Sequence, residues 1–216
     1  MNIAVVIRPM SVSDIHRVVR VHRQAFQGFF LDQMGSAFLK QYYATVLDYP
    51  QSVALVAEQA GEVVGFATGF KNPAGFYGHF RAQRLRFAPA ILLAVLRRPA
   101  LIQMVLRNAR RVEDRVEQGA WTAELSSIGV AARRGGVGSR LLSAFCDEMF
   151  NREVDRIILS TDEAGNDATR NFYVARNFRL TGVEQRGERS LCLYELSRPD
   201  FVPRPNVETP RAEPTE

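Results

Sequence analysis

The chain has 216 residues, 46% of them apolar and 24% charged, with a formal net charge of +5 and a pI near 9.6. These are ordinary proportions for one globular domain with a full core. No run approaches the ~20 apolar residues of a membrane span, the start "MNIAVVIRP" lacks the features of a secretory leader, and no His/Cys/Asp cluster has metal-ligand spacing. The positive charge is local. Residues 63 to 112 hold nine Lys/Arg and no Asp/Glu, so the rest of the chain is net acidic. With no recognition-helix motif and no aromatic platform, this pattern speaks against nucleic acid as a partner.

In chain order, residues 3–8 predict a strand. A helix over 12–27 follows, opened by Ser11 and Asp14 in capping-box fashion, with Ile15, Val18, Val19 and His22 on one face. A second helix is expected over 36–47, with Phe38, Leu39, Tyr42 and Val46 inward. Residues 53–58 and 62–70 read as a hairpin turning through Ala60-Gly61. A long basic insert spans 71–118. Within it the apolar run from Ala88 to Leu96, interrupted only by Pro89, ends at Arg97-Arg98-Pro99, because Pro99 disfavours helix at Arg98. A second amphipathic helix is then expected, with Ile102, Val105, Ala109 and Val112 on one face and Gln103, Arg107, Arg110 and Arg111 on the other. Strand 120–130 precedes a glycine-rich turn. After it come helix 139–150, strand 154–161, helix 167–176, and strands 179–183 and 190–196. The domain is read as residues 1–197. Residues 198–216 carry five of the ten prolines and few large apolar side chains, and are expected to be a disordered tail.

The turn Arg133-Arg134-Gly135-Gly136-Val137-Gly138-Ser139 opens a helix that follows a strand. Backbone N–H groups are free there, and the helix dipole favours an anion. The glycines admit positive φ and the close approach of a phosphate. Leu141 stands where G-x-G-x-x-G needs its third glycine, and no Lys follows Lys71, which excludes a Gly-Lys-Ser/Thr loop. Arg133, Gly136 and Gly138 do match Arg/Gln-x-x-Gly-x-Gly/Ala. A second segment, Ile158 to Phe178, matches a strand followed by N-x-x-A-x-x-F-Y-x-x-x-G-F. Asn166, Phe172, Tyr173 and Phe178 are in place, with Thr169 for the Ala and Asn177 for the Gly. Asn is second to Gly in tolerating the left-handed conformation at a helix end. With these two motifs in order, the chain resembles the GCN5-related N-acetyltransferases, the GNAT superfamily, from residue 1 to about 197.

That resemblance implies an α/β (α+β) fold: a mixed central sheet of about seven strands, flanked by helices, with the insert between strands 3 and 4. It implies acetyl-CoA as co-substrate and no metal. The pyrophosphate would lie on Arg133, Arg134, Gly135, Gly136, Val137, Gly138 and Ser139. Ile128, Gly129 and Val130 would border the pantetheine arm, with a backbone N–H polarising the thioester carbonyl. Gly129 has two readings, a close backbone approach or a bulge. Asn166 would hydrogen-bond the pantetheine amides, cap the next helix, or both. Tyr173 would protonate the departing thiolate, and its plain alternative is a core aromatic, as expected for Phe172. Glu124 is the candidate base. It is assigned the strand parity of Ile128 and Val130, and so a place facing the cleft, against the reading of a salt bridge or solvated strand end.

Cys146 and Cys192 read as buried thiols, which fits a reducing, cytoplasmic compartment. The implied acceptor is a primary amine of a small molecule, with an amino sugar as one class. Protein N-terminal or lysine acetylation and a non-catalytic CoA-binding module are the alternatives. Three readings of the insert stay open: a lid packed on the domain or on a second subunit of a homodimer, an anionic-acceptor site, or a contact of residues 81–111 with anionic membrane.

Overall fold

The structure is a computed structural model and describes residues 4–99, 119, 121–131, 135–187 and 189–202. The chain pairs into one seven-stranded sheet in the order β1-β2-β3-β4-β5-β7-β6. The strands are β1 (Val6–Pro9), β2 (Ser52–Gln59), β3 (Glu62–Lys71), β4 (Thr122–Val130), β5 (Arg156–Asp162), β6 (Arg179–Arg186) and β7 (Arg189–Ser197). Every pairing is antiparallel except β4 with β5. The helices are α1 (Ile15–Ala25), α2 (Phe30–Gln33), α3 (Gly35–Asp48), α4 (Pro73–Ala82), α5 (Arg84–Arg97), α6 (Val137–Asn151) and α7 (Asp167–Val174).

Strand residues alternate between two cores, one on each face of the sheet. Val56, Phe66 and Phe70 pack with Val18 of α1 and Leu39 and Tyr43 of α3. Val53, Ala57 and Ala67 pack with Leu141, Phe145 and Met149 of α6. The expected capping box forms, with the Ser11 backbone N–H and hydroxyl both donating to Asp14 Oδ2 at 2.9 and 2.8 Å. Arg8 forks onto the same carboxylate at 2.7 and 2.9 Å, tying β1 to the start of α1. The hairpin turns through Ala60 and Gly61, both at positive φ, as a tight primed turn requires. Helix α5 stops at Arg97, one residue before the pre-proline Arg98. Two helices were not expected from the sequence. The four-residue α2 is one. The other is α4, which Asn72 caps by accepting from the Gly75 N–H at 3.1 Å, with Pro73 at its first position. The second helix expected within the insert, the arginines 107, 110 and 111, and the tail beyond Val202 lie outside the described residues.

One irregularity positions the site. Opposite β3, Thr68 pairs with Ser127 but Gly69 pairs with Leu125, so Ser126 is an extra residue in β4. A bulge of this kind reverses side-chain parity along the strand. Ala123 and Leu125 before it, and Ile128 and Val130 after it, all pack toward α6. The bulge depends on Gly69. A Cβ there would stand 2.1 Å from the Glu124 carbonyl oxygen and 2.6 Å from the Phe145 ring.

Candidate active site

Strands β4 and β5 are hydrogen-bonded only at Thr122–Arg156, Ala123–Ile157 and Glu124–Ile158. Beyond that point both continue, β4 along β3 to Val130 and β5 along β7 to Asp162, but not along each other. The sheet therefore splits, and two facing strand edges present backbone groups to the gap. Residues 125–131 of β4 and its exit and 159–162 of β5 wall a cleft of about 820 Å³.

At one end of this gap lies the head of α6. Gly136, its N-cap, has φ +77, and Gly135 before it has φ +43. A Cβ on either would meet no atom within 4 Å. The glycines are thus required by backbone conformation, and open space lies beside a helix start whose first amides have no partner within the helix. Arg133 and Arg134 lie outside the described residues. A cation that sequence reasoning missed does stand nearby. The Arg176 guanidinium lies over the Phe172 ring at 3.8 Å, donates to the Phe172 carbonyl at 2.6 Å, and donates to Ser139 Oγ in the first turn of α6. A cation beside a helix amino terminus opposes the dipole, unless an anion sits between them. The Gly-rich turn, Ser139 and Arg176 together suit a phosphate. Gly138 faces the Phe172 ring, where a Cβ would make ordinary contact at 3.8 Å.

Tyr173, on α7, is 6% exposed and lies on the cleft wall. Its ring packs on Phe172, Phe178 and Tyr194. Burial, with Cys146 close by, pushes its phenol well above the ordinary range. The group is therefore protonated at any working pH and is available as a donor. It packs as a core aromatic and also borders the cleft. Asn166 lines the cleft at the N-cap position of α7. Its side chain makes no cap hydrogen bond and instead donates to Thr161 Oγ1 at 2.6 Å, at the end of β5. Asn177 adopts φ +65 after α7, the conformation expected of the residue standing for glycine.

Glu124 is not where strand parity was expected to put it. The bulge at Ser126 sets it on the sheet face opposite Ile128 and Val130. There the carboxylate is 8% exposed and accepts from Tyr77 Oη of α4 at 2.9 Å. It is not among the residues that line the cleft. Gly129 is a close approach rather than the bulge itself. A Cβ there would lie 3.0 to 3.2 Å from Phe66, Phe26 and Ala25, so the glycine lets α1 sit tight on β4. Cys146 and Cys192 are free and buried, as expected.

The α1 side of the cleft carries a polar group that the sequence showed only as part of an inward stripe. His22 is 1% exposed, lines the cleft, and shares a 2.6 Å hydrogen bond between Nδ1 and Tyr43 Oη. Next to it Tyr42 Oη and Ser126 Oγ lie 2.6 Å apart. Tyrosines of α3 thus hold the bulge residue Ser126 and the α1 imidazole by their hydroxyls. Burial lowers the His22 pKa from 6.5 to about 4, so the imidazole is neutral.

The mouth is bridged. Arg189 of β7 forks onto Asp162 at 2.6 to 2.9 Å and lies 5.2 Å over the ring of Phe29, which precedes α2.

The model of the acetyltransferase (GNAT) family matches residues 102–178, the span that holds β4, the glycine turn, α6, β5 and α7. Over that span the chain matches the GNAT acetyltransferase family. Solved structures agree in fold. A GNAT-family acetyltransferase from Desulfovibrio desulfuricans superposes with a TM-score of 0.61 at 17% identity, over 90% of this chain and 99% of that one. A ribosomal-protein-alanine N-acetyltransferase from Brucella melitensis gives 0.59 at 20% identity, over 89% and 99%. The PaiA N-acetyltransferase from Thermoplasma acidophilum, solved in complex with coenzyme A, gives 0.53 at 12% identity, over 88% and 98%. No curated protein sequence matches the chain. Enzymes of the GNAT family use acetyl-CoA.

Proposed function

We propose that this acetyltransferase moves the acetyl group of acetyl-CoA to a primary amine on a small molecule, with amino sugars among the candidate acceptors. The observation that favours a small acceptor is the bridge from Phe29 to Arg189 and Asp162 across the mouth. An extended peptide needs an open groove, whereas this opening is straddled by an ion pair resting on an aromatic ring. Ribosomal-protein alanine N-acetyltransferases from Escherichia coli and Brucella melitensis and Ard1 from Thermoplasma volcanium share the fold at 14 to 20% identity. They make a protein N-terminus the second reading.

Acetyl-CoA supplies the activated thioester. The chain's part is to hold it and manage charge. Gly135, Gly136, Val137, Gly138 and Ser139 offer amides and a hydroxyl to the pyrophosphate, with Arg176 beside them. The uncovered edge of β4 at Ile128, Gly129 and Val130, together with Asn166, pairs with the amide-bearing arm as a strand would. A backbone N–H on that edge faces the carbonyl oxygen where negative charge develops. Tyr173, kept protonated by burial, donates to the departing sulfur. Such a site needs no base inside the cleft if the amine arrives neutral. The test is thiol release from acetyl-CoA across a panel of small amines, amino sugars and N-terminal peptides. Turnover with small amines is expected to exceed that with peptides, and the opposite ranking overturns the small-acceptor reading.

A further inference from the structure

Helix α5 is oriented with one apolar stripe inward and another outward. Phe87, Ile91 and Ala94 face the domain, where Phe87 packs on Phe38 and Phe80 at ring separations of 5.2 and 4.6 Å. The opposite stripe, at spacings of four, three and four, is Leu85, Pro89, Leu92 and Leu96. Its leucines are 80%, 60% and 70% exposed, with neighbouring Leu93 at 40%. A soluble helix normally turns charge to the outside. Here charge stands at the two ends. Arg84 and Arg86 are exposed in the first turn, and Arg97 and Arg98 are exposed at the close. Arg81 is exposed just before them, and no Asp or Glu occurs from residue 63 to 112.

We infer that the outer face of α5 docks on an anionic lipid surface. The leucine stripe supplies apolar area to the acyl boundary, and the arginines at both ends meet headgroup phosphates. Fourteen residues of helix reach about 21 Å, short of a bilayer's hydrocarbon core of about 30 Å, and no helix among the described residues is long and apolar enough to cross a membrane. The helix therefore lies on the surface. Charge argues against a second copy as the occupant. A two-fold interface through this stripe would set Arg84 and Arg86 of one copy against Arg97 and Arg98 of the other, or each against itself. Like charges across an interface oppose association. An anionic surface turns the same arginines into attraction. The inference is independent of the acetyl-transfer reading, since α5 contributes no residue to the cleft wall.

The test is sedimentation of the full chain with vesicles of phosphatidylglycerol and phosphatidylcholine, and with vesicles of phosphatidylcholine only. Binding is expected to the first and not the second, and to weaken as salt shortens the Debye length. Arg97→Gln with Arg98→Gln should weaken partitioning about 20- to 30-fold, at about 1 kcal/mol for each basic group near the membrane. Leu92→Ser with Leu96→Ser should abolish it. Both pairs are exposed, so unfolding is not expected, and a cooperative melt in circular dichroism at the wild-type midpoint confirms that each variant is folded. The inference is overturned if the wild type fails to sediment with anionic vesicles at low salt, or binds the zwitterionic ones equally. It is also overturned if the wild type binds no vesicles but forms a dimer in sedimentation velocity that Leu92→Ser with Leu96→Ser breaks, because a second copy then covers the stripe.

Discussion

At the scale of single residues, the strongest expectation concerns Tyr173. Its place on α7 and its identity were legible in the sequence, because the spacing from Asn166 through Phe178 is local. Its surroundings were not, because Cys146 and Tyr194 come from other elements. Tyr173→Phe removes only the hydroxyl and keeps the ring packing, so kcat should fall roughly 100- to 10,000-fold, the worth of one positioned proton donor. The Kd for acetyl-CoA should hardly move. Single-turnover rates together with a titration of acetyl-CoA separate the two, and wild-type turnover would reduce Tyr173 to packing. For Glu124 the structure changes the expectation. Its carboxylate sits under Tyr77 and off the cleft wall, and a Gln there can still accept from Tyr77 Oη. Glu124→Gln should therefore leave the acid limb of the kcat/KM profile in place. Loss of that limb would return the role of base to Glu124.

At the scale of elements, the order of strands and long helices was readable because it rests on local periodicity, and the two motifs are each contiguous. What the sequence hid depends on pairing. The bulge at Ser126 shows only once β3 lies beside β4, and it moves Glu124 to the other face. Helix α4 was hidden because its signal is an Asn-Pro cap inside a run read as one insert. The α1 stripe showed His22 as one more inward position, although it is a polar group tied to α3. Two glycine substitutions test the elements that make the cleft. Gly69→Ala places a Cβ 2.1 Å from the Glu124 carbonyl oxygen, on a backbone that cannot step aside as a flexible side chain could. It should cost about 3 kcal/mol, the upper part of the usual overpacking range, measured by urea unfolding. Gly136→Leu strains a φ of +77 and fills the space beside the first amides of α6. Gly61→Leu strains a φ of +78 in the distant hairpin, also with open space around it. Both should lose on the order of 1 kcal/mol of stability, but only Gly136→Leu should weaken coenzyme A binding, by tenfold or more. Equal affinities in the two variants would detach the glycine turn from phosphate binding.

At the scale of the whole molecule, the buried ionisable groups set a pH window for stability. His22 is the main one on the acid side. Its pKa falls from 6.5 to about 4, chiefly by desolvation, with Asp32 of α2 opposing the shift and Tyr43 of α3 bonded to Nδ1. Between those values the unfolded chain binds a proton that the folded chain refuses, so stability falls as pH falls from 6.5 to 4. At 1.36 kcal/mol for each pKa unit, that arm amounts to about 3 kcal/mol. Asp14 extends it. The Arg8 guanidinium holds its carboxyl far below the ordinary range, so its contribution is present above 3.8 and is lost below that. On the alkaline side the signs reverse. Burial raises Cys146 from 9.0, and Tyr43 and Tyr173 from 10.0. Above about pH 9 the unfolded chain sheds protons that the folded chain keeps, and stability falls again. The urea midpoint should therefore be flat from about pH 6.5 to 9 and decline on both sides. His22→Phe keeps a ring against Phe26 and Phe66. It should erase the decline between pH 6.5 and 4 and leave both the steeper loss below pH 4 and the alkaline arm. If the variant still loses stability between 6.5 and 4, the proton that drives acid unfolding binds elsewhere, and His22 is not the buried neutral group that the α1–α3 contact makes it.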